Sequence, residues 1–218
     1  MPSLEITAAF AAIVVLIVVS PGPNLFLLLR NTSTLGRRVG LLNTLGVCAA
    51  ILSHALRSLL GVSAIIMASA ALFSIVKLLG AAYLVWLGIK ALRSAVADVE
   101  LPSGEPGPVG LGSRLSPARA LAQGWTINFL NPKPALFYLA AFPQFIDATS
   151  GYVLAQGMTL GGVHAAIAAL WYGSVVMGID KANVWLRRPR VWRTVQGISG
   201  LALVGLGARL ALVRSPSS

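Results

Sequence analysis

The chain of 218 residues is 56% hydrophobic and only 11% charged, against roughly a quarter charged in an ordinary soluble domain, which excludes disorder and argues against a soluble fold. Its charge is lopsided, with 17 Lys plus Arg against 6 Asp plus Glu and a net charge of +11. Those charges sit in short clusters between long apolar runs, not along one amphipathic surface, so the partner they imply is a membrane and not a nucleic acid.

The first uncharged run, Ile6 to Leu29, is long enough to cross the roughly 30 Å of bilayer hydrocarbon. It reads as a retained span and not as a cleaved signal peptide, because Glu5 stands where a basic start belongs and the run continues into Pro21-Gly22-Pro23. After a basic stretch from Arg30 to Arg38, a second run extends from Val39 to about Met67, interrupted only by Arg57, and Ala68 to Ala71 make the turn. A third helix follows from about Leu72 to Leu92. Residues Ser94 to Ser116 collect Gly, Pro, Ser and acidic residues that neither continue a helix nor bury a face, so they read as a linker. Beyond it, Ala120 to Phe145 is a fourth span broken at Asn131-Pro132-Lys133-Pro134, Gly151 to Ile179 a fifth, and Val191 to Val213 a sixth. The predicted fold is an all-α integral membrane protein of about six transmembrane helices arranged as two inverted three-helix repeats, residues 1–93 and 119–218, joined by a cytoplasmic linker over 94–118. The lone Cys48 lies inside an apolar run, so no intramolecular disulfide forms.

Lys and Arg favour cytoplasmic loops. Arg30, Arg37 and Arg38 follow the first helix; Lys90, Arg93, Arg114 and Arg119 lie between the third and fourth; Lys181, Arg187, Arg188, Arg190 and Arg193 lie between the fifth and sixth. Twelve of the 17 basic residues thus fall on one side, which predicts both termini outside, with Arg209 and Arg214 running against the rule.

The two halves repeat. Ser20-Pro21-Gly22-Pro23-Asn24 has its counterpart in Leu130-Asn131-Pro132-Lys133-Pro134, and the third helix of each half ends alike, in Leu87-Gly88-Ile89-Lys90-Ala91-Leu92 and Leu206-Gly207-Ala208-Arg209-Leu210-Ala211. An odd number of spans per half puts the halves in opposite orientations, and inverted repeats with interrupted helices at matching positions point to a transport site near the bilayer midplane. The chemistry agrees. Pro21 and Pro23 cannot donate to the carbonyls of Ile17 and Val19, nor Pro132 and Pro134 to those of Asn128 and Leu130. In hydrocarbon such a break survives only where protein, water or ligand replaces the missing bonds. Freed carbonyls suit an ammonium, and the N-terminal end of a continuing half-helix suits a carboxylate, so a zwitterion satisfies both. The alternative is a pair of ordinary kinks healed by Ser20, Asn24, Asn128 and Asn131.

The only two histidines fall at matching places, His54 33 positions after Pro21 and His164 32 after Pro132, each inside an apolar run. As a pair they are candidates for proton shuttling or substrate contact, against the alternative of two packing histidines aligned by chance. Arg57 has no acidic neighbour in sequence and reads as snorkelling or pairing across helices, and Lys77 as snorkelling. Lys133 stands within the second break, placed to meet a substrate carboxylate or to cap a neighbouring helix. Asp180 beside Lys181 reads as an interfacial pair with a minor claim to proton coupling.

Ser-Pro-Gly-Pro-Asn from Ser20, the stretch Gly80 to Lys90, Asn128-Phe129-Leu130-Asn131-Pro132-Lys133 with Phe142-Pro143-Gln144-Phe145, and the closing Gly205-Leu206-Gly207-Ala208-Arg209-Leu210 together resemble the LysE/RhtB family of amino-acid exporters, in order and over nearly the whole chain. The resemblance implies a bacterial inner-membrane, multi-pass secondary transporter that exports amino acids or related small metabolites, driven by the proton gradient. The chain departs from the family pattern in lacking an acidic residue in the second span, in carrying Arg57 where an apolar residue is usual, and in carrying Pro134 after Asn-Pro-Lys. The substrate-binding set expected is Ser20, Pro21, Gly22, Pro23, Asn24, Asn128, Asn131, Pro132 and Lys133, with His54, His164 and Asp180 as proton-coupling candidates and no catalytic, metal or cofactor site. An intramembrane enzyme wants clustered acids or an activated Ser that the spans do not supply, and a divalent-cation carrier wants carboxylates. Transport of another small solute or cation, or a passive scaffold, stays open as an alternative. Gly157, Gly161 and Gly162 have the small-residue spacing that permits close helix contact and a homodimer.

Overall fold

The computed structural model describes residues 1–68, 70–96, 115–179 and 188–212. Most of the linker, Asp180, Lys181 and the Lys77 side chain lie outside the described residues. Every regular element among them is helical: α1 (Leu4–Val19), α2 (Pro23–Leu35), α3 (Arg37–Ala68), α4 (Ala70–Val96), α5 (Pro117–Phe129), α6 (Pro132–Leu136), α7 (Val153–Met177) and α8 (Pro189–Leu212). Four of these, within α3, α4, α7 and α8, are long and apolar enough to cross a membrane, and α1 with α2, bent by 54° at their break, passes the same test as a pair. The chain is a multi-pass membrane protein. The expected fourth span is built of shorter pieces: α5, α6, a π turn at Phe137–Ala141 and a 3-10 turn at Phe142–Phe145.

Local chemistry sets the ends. Ser3 and Ser116 accept from the backbone N–H of Ile6 and Arg119 and so start α1 and α5. Gly36, at φ 91°, ends α2 and turns the chain into α3; the positive φ favours glycine there. Outside the spans, the Asp147 carboxylate accepts from the hydroxyl and the N–H of Thr149, and those bonds hold its pKa below the ordinary carboxylate value.

Helix directions follow from side-chain contacts. α3 and α5 run parallel, with Asn43 bonded to Ala120 O, Trp125 to Ser53 and the carbonyl of Tyr138 to Ser58. The two backbones approach so closely that a Cβ on Gly46 would overlap the carbonyl of Leu121, and one on Gly124 that of Asn43. α4 and α8 run antiparallel through Gly88 against Gly200 and Gly207 against Ala81. α3 and α7 are antiparallel too, with Ala55 against Gly161 and Leu59 against Gly157. Gly157 and Gly161 therefore spend their small size inside the chain, while Gly162 faces open space. This arrangement gathers Arg30, Arg37, Arg38, Lys90, Arg93, Arg119, Arg188, Arg190 and Arg193 at one end, here the basic end, and Glu5 and Asp147 at the other. Leu45, Leu60, Leu79, Leu170 and Leu201 are exposed on the outside of the bundle, as helices facing lipid require, while Phe10, Leu28, Val47, Leu84 and Leu160 fill its centre.

Candidate functional site

The first break is a three-residue interruption, Ser20 to Gly22. Ser20 closes α1 with its N–H on Leu16 O, and Gly22 stands extended before α2 begins at Pro23. At the second break α5 ends at Phe129 and Asn131 restarts the helix by accepting from the backbone N–H of Lys133. At the breaks, backbone carbonyls also meet side chains from elsewhere: Val18 O takes the Tyr172 hydroxyl at 3.4 Å, and Asn128 O, which accepts from the backbone N–H of Asn131, also faces His54 Nε2 at 3.5 Å.

The two breaks meet. Lys133 Nζ, from the second, donates to the carbonyl of Ser20 at 3.3 Å and to its hydroxyl at 3.2 Å. Gly22, which matches Lys133 when the Pro-x-Pro segments are aligned, stands directly beside that ammonium: a Cβ on Gly22 would lie 3.4 Å from Lys133 Nζ, at van der Waals contact. The second break thus supplies the cation and the first the carbonyl and hydroxyl that hold it.

Two cavities share this junction. The larger, about 560 Å³, is bounded by Pro21, Gly22, Pro132 and Lys133 and walled by Tyr83, Trp86 and Leu87 of α4 with Trp192, Gln196 and Leu203 of α8; its volume lies in the range of small-molecule sites. Trp86 and Leu87 stand in the basic-end half of α4 and Trp192 and Gln196 in that of α8, with Tyr83 and Leu203 nearer the middle of their helices. Lys90 sits over the Trp86 ring at 5.3 Å, and the buried indole N–H of Trp192 has no partner among the described residues. The smaller cavity, about 20 Å³, lies on the other side of Lys133 among Ile17, Asn24, Asn128, His164 and Tyr172. Two of its lining groups, Asn24 Oδ1 and Asn128 Oδ1, are buried without a hydrogen-bond partner among the described residues. An acceptor left unmet in that way costs about 1–3 kcal/mol.

Toward the other end the bundle is sealed by aromatic rings. Phe10, Phe137, Tyr138 and Phe142 are fully buried and in mutual contact at centroid distances of 4.7 to 5.9 Å. The two histidines join this seal through Tyr138, whose ring stacks on His54 at 5.8 Å and on His164 at 5.6 Å and whose hydroxyl lies 3.0 Å from His164 Nδ1. The stack continues from His54 to Phe129 at 5.3 Å and on to Trp125 at 4.2 Å. Arg57 is accounted for as well, its guanidinium lying 4.5 Å from the Phe129 ring centroid, a cation–π contact in place of an acidic partner.

All nine expected binding residues thus lie at or beside the junction, and His164 lines the smaller cavity. Asp180 lies outside the described residues. Tyr138, Trp86, Trp192 and the buried cluster in which Asn31 donates to Asn43 Oδ1 at 2.8 Å and to Gln123 Oε1 at 2.9 Å did not emerge from sequence reasoning. The density of aromatic residues from Phe137 to Phe145 directly after a helix break is the one signal that would have marked Tyr138. Among the described residues no three His, Cys, Asp or Glu side chains converge to hold a metal.

Residues 15–214 match the family model described as LysE type translocator. The chain belongs to that family. It is 33% identical over 208 residues, 94% of this chain and 97% of the relative, to the uncharacterized membrane protein YrhP of Bacillus subtilis. It is 29% identical to a leucine efflux protein of Klebsiella pneumoniae over 92% of each chain. With a leucine efflux protein of an Enterobacter species it shares 30% identity over 89% of this chain and 90% of the relative. No solved structure matches the chain.

Proposed function

We propose that this LysE type translocator is a secondary transporter exporting an amino acid, or a closely related small metabolite, across the bacterial cytoplasmic membrane. The observation that carries the reading is the link between the breaks: a cation from one interrupted helix resting on the carbonyl and hydroxyl of the other, at the head of a cavity of about 560 Å³. A substrate carboxylate competes with Ser20 for Lys133, and the apolar walls around Trp86, Leu87 and Leu203 receive an apolar side chain. The names of the leucine efflux relatives support that substrate class.

With the basic end in the cytoplasm, the large cavity faces the cell interior and the aromatic seal faces outward. The two inverted repeats then rock about the junction, so that the seal parts as the cavity closes. Coupling to the proton gradient is assigned to His164 and His54, joined through Tyr138, with Asp180 as a further candidate. Cells overproducing the protein and loaded with dipeptides are expected to release one or a few free amino acids faster than controls. Lys133→Met, which keeps the length of the side chain and removes its charge, is expected to slow that release roughly ten- to a hundredfold, the scale of a hydrogen bond to a charged group. Release unchanged by overproduction, for every amino acid, would overturn the reading.

A further inference from the structure

Apart from Ser20 and Lys133, which line both cavities, the smaller cavity takes no part in the carboxylate contact just described, yet it is the more specifically built of the two. It has room for one group the size of a water molecule, about 20 Å³. Its unmet acceptors come one from each half of the repeat: Asn24, 7% exposed, at the start of α2, and Asn128, 2% exposed, at the end of α5. A buried polar atom without a partner calls for one, and here two point to the same kind of partner, a hydrogen-bond donor. No carboxylate lies among the lining residues, and the Lys133 ammonium that also lines the cavity is met by the substrate carboxylate, so what remains for the second charge is neutral oxygens, suited to a singly charged primary ammonium and poorly to a divalent ion.

The junction also controls access. Ser20, Gly22, Asn131 and Lys133 line both cavities, and Lys133 is held across the boundary by its bonds to Ser20. A carboxylate arriving from the larger cavity draws Lys133 off Ser20 and, in the same step, opens the smaller cavity to whatever the substrate carries beside that carboxylate.

We propose that the smaller cavity is the ammonium subsite, in which Asn24 Oδ1 and Asn128 Oδ1 accept from the primary ammonium of an α-amino acid whose carboxylate is held by Lys133. The proposal rests on the amino-acid reading and divides its substrate into two charges with separate receptors. The size of the cavity makes a further demand: a trimethylated nitrogen does not enter.

The test uses the full chain purified in lipid nanodiscs and reads binding from the fluorescence of Trp86 and Trp192, which line the larger cavity. The probes are leucine, isocaproate (the same skeleton without the amine), isoamylamine (without the carboxylate) and N,N,N-trimethylleucine. Leucine is expected to bind roughly tenfold or more tightly than each of the other three, the scale for removing one partner of a buried charged hydrogen bond. Asn24→Leu and Asn128→Leu are each expected to weaken leucine toward the affinity of isocaproate and to leave isocaproate unchanged, which also shows that the variant is folded. If a variant does not fold, the four ligands on the unaltered protein decide alone. Equal binding of leucine and isocaproate, tight binding of trimethylleucine, or Asn variants that keep the leucine-to-isocaproate ratio would each overturn the subsite. When leucine still binds in a Lys133-dependent way, the subsite alone has failed; when no amino acid binds, the broader reading has failed with it.

Discussion

Tyr138 is where the sequence was least informative and the geometry most so. It is the most deeply buried of the chain's four tyrosines, and every part of it is used: the ring stacks on His54 and His164, the hydroxyl meets His164 Nδ1, and the carbonyl, in the π turn, accepts from Ser58. π turns inserted in helices often mark functional positions. Removing only the hydroxyl is expected to keep the stack and to cost about 0.5–1.5 kcal/mol of stability. Because the histidines are joined through that residue, Tyr138→Phe is also expected to flatten the pH dependence of amino-acid release while the protein stays folded. Thermal unfolding and release measured across the neutral pH range check the two parts. A fully retained pH dependence would show that Tyr138 serves packing alone. Lys133 was legible from its place in the second break, but its partner was not, since Ser20 lies 113 positions away and no local pattern encodes that separation.

At the level of the elements, the prolines announced both breaks because proline acts on its own backbone, and the breaks fall where that chemistry puts them. Span boundaries were likewise readable from hydropathy: α7 and α8 run Val153–Met177 and Pro189–Leu212 against expectations of Gly151 to Ile179 and Val191 to Val213. The pairing of helices was not readable. It depends on glycines whose partners lie far along the chain, above all Gly46 and Gly124, which let α3 and α5 lie side by side. The parallel pair carries Asn43 and Gln123, the two groups that Asn31 of α2 bridges, and the His54 to Asn128 contact, so its spacing sets the position of the second break. Gly124→Val would drive a branched side chain into the Asn43 carbonyl. The expected cost is about 1–3 kcal/mol, seen as a lower unfolding temperature. Gly162→Val, facing open space on α7, serves as the control and is expected to change little.

For the whole molecule, the asymmetry between the ends matters most. One end carries most of the described positive charge and holds a cavity of about 560 Å³; the other is closed by Phe10, Phe137, Tyr138 and Phe142. On the proposed reading this asymmetry is that of one end state of an alternating-access cycle, in which the site is reachable from one side. If the basic end is cytoplasmic, a thiol at Ser94, on the wall of the cavity, is expected to react with a membrane-impermeant reagent applied from the cytoplasmic face and not from outside. A thiol at Phe142, inside the seal, is expected to be protected from both faces until substrate is supplied, and then to become reactive from outside. Both variants are made on a Cys48→Ser background, which removes the one native thiol, and are read in membrane vesicles of each orientation. Labelling of Ser94→Cys from the outer face would invert the topology, and with it the direction in which the substrate is carried. Labelling of Phe142→Cys without substrate would mean that the seal opens on its own, so that the gradient would leak through the carrier instead of being coupled to export.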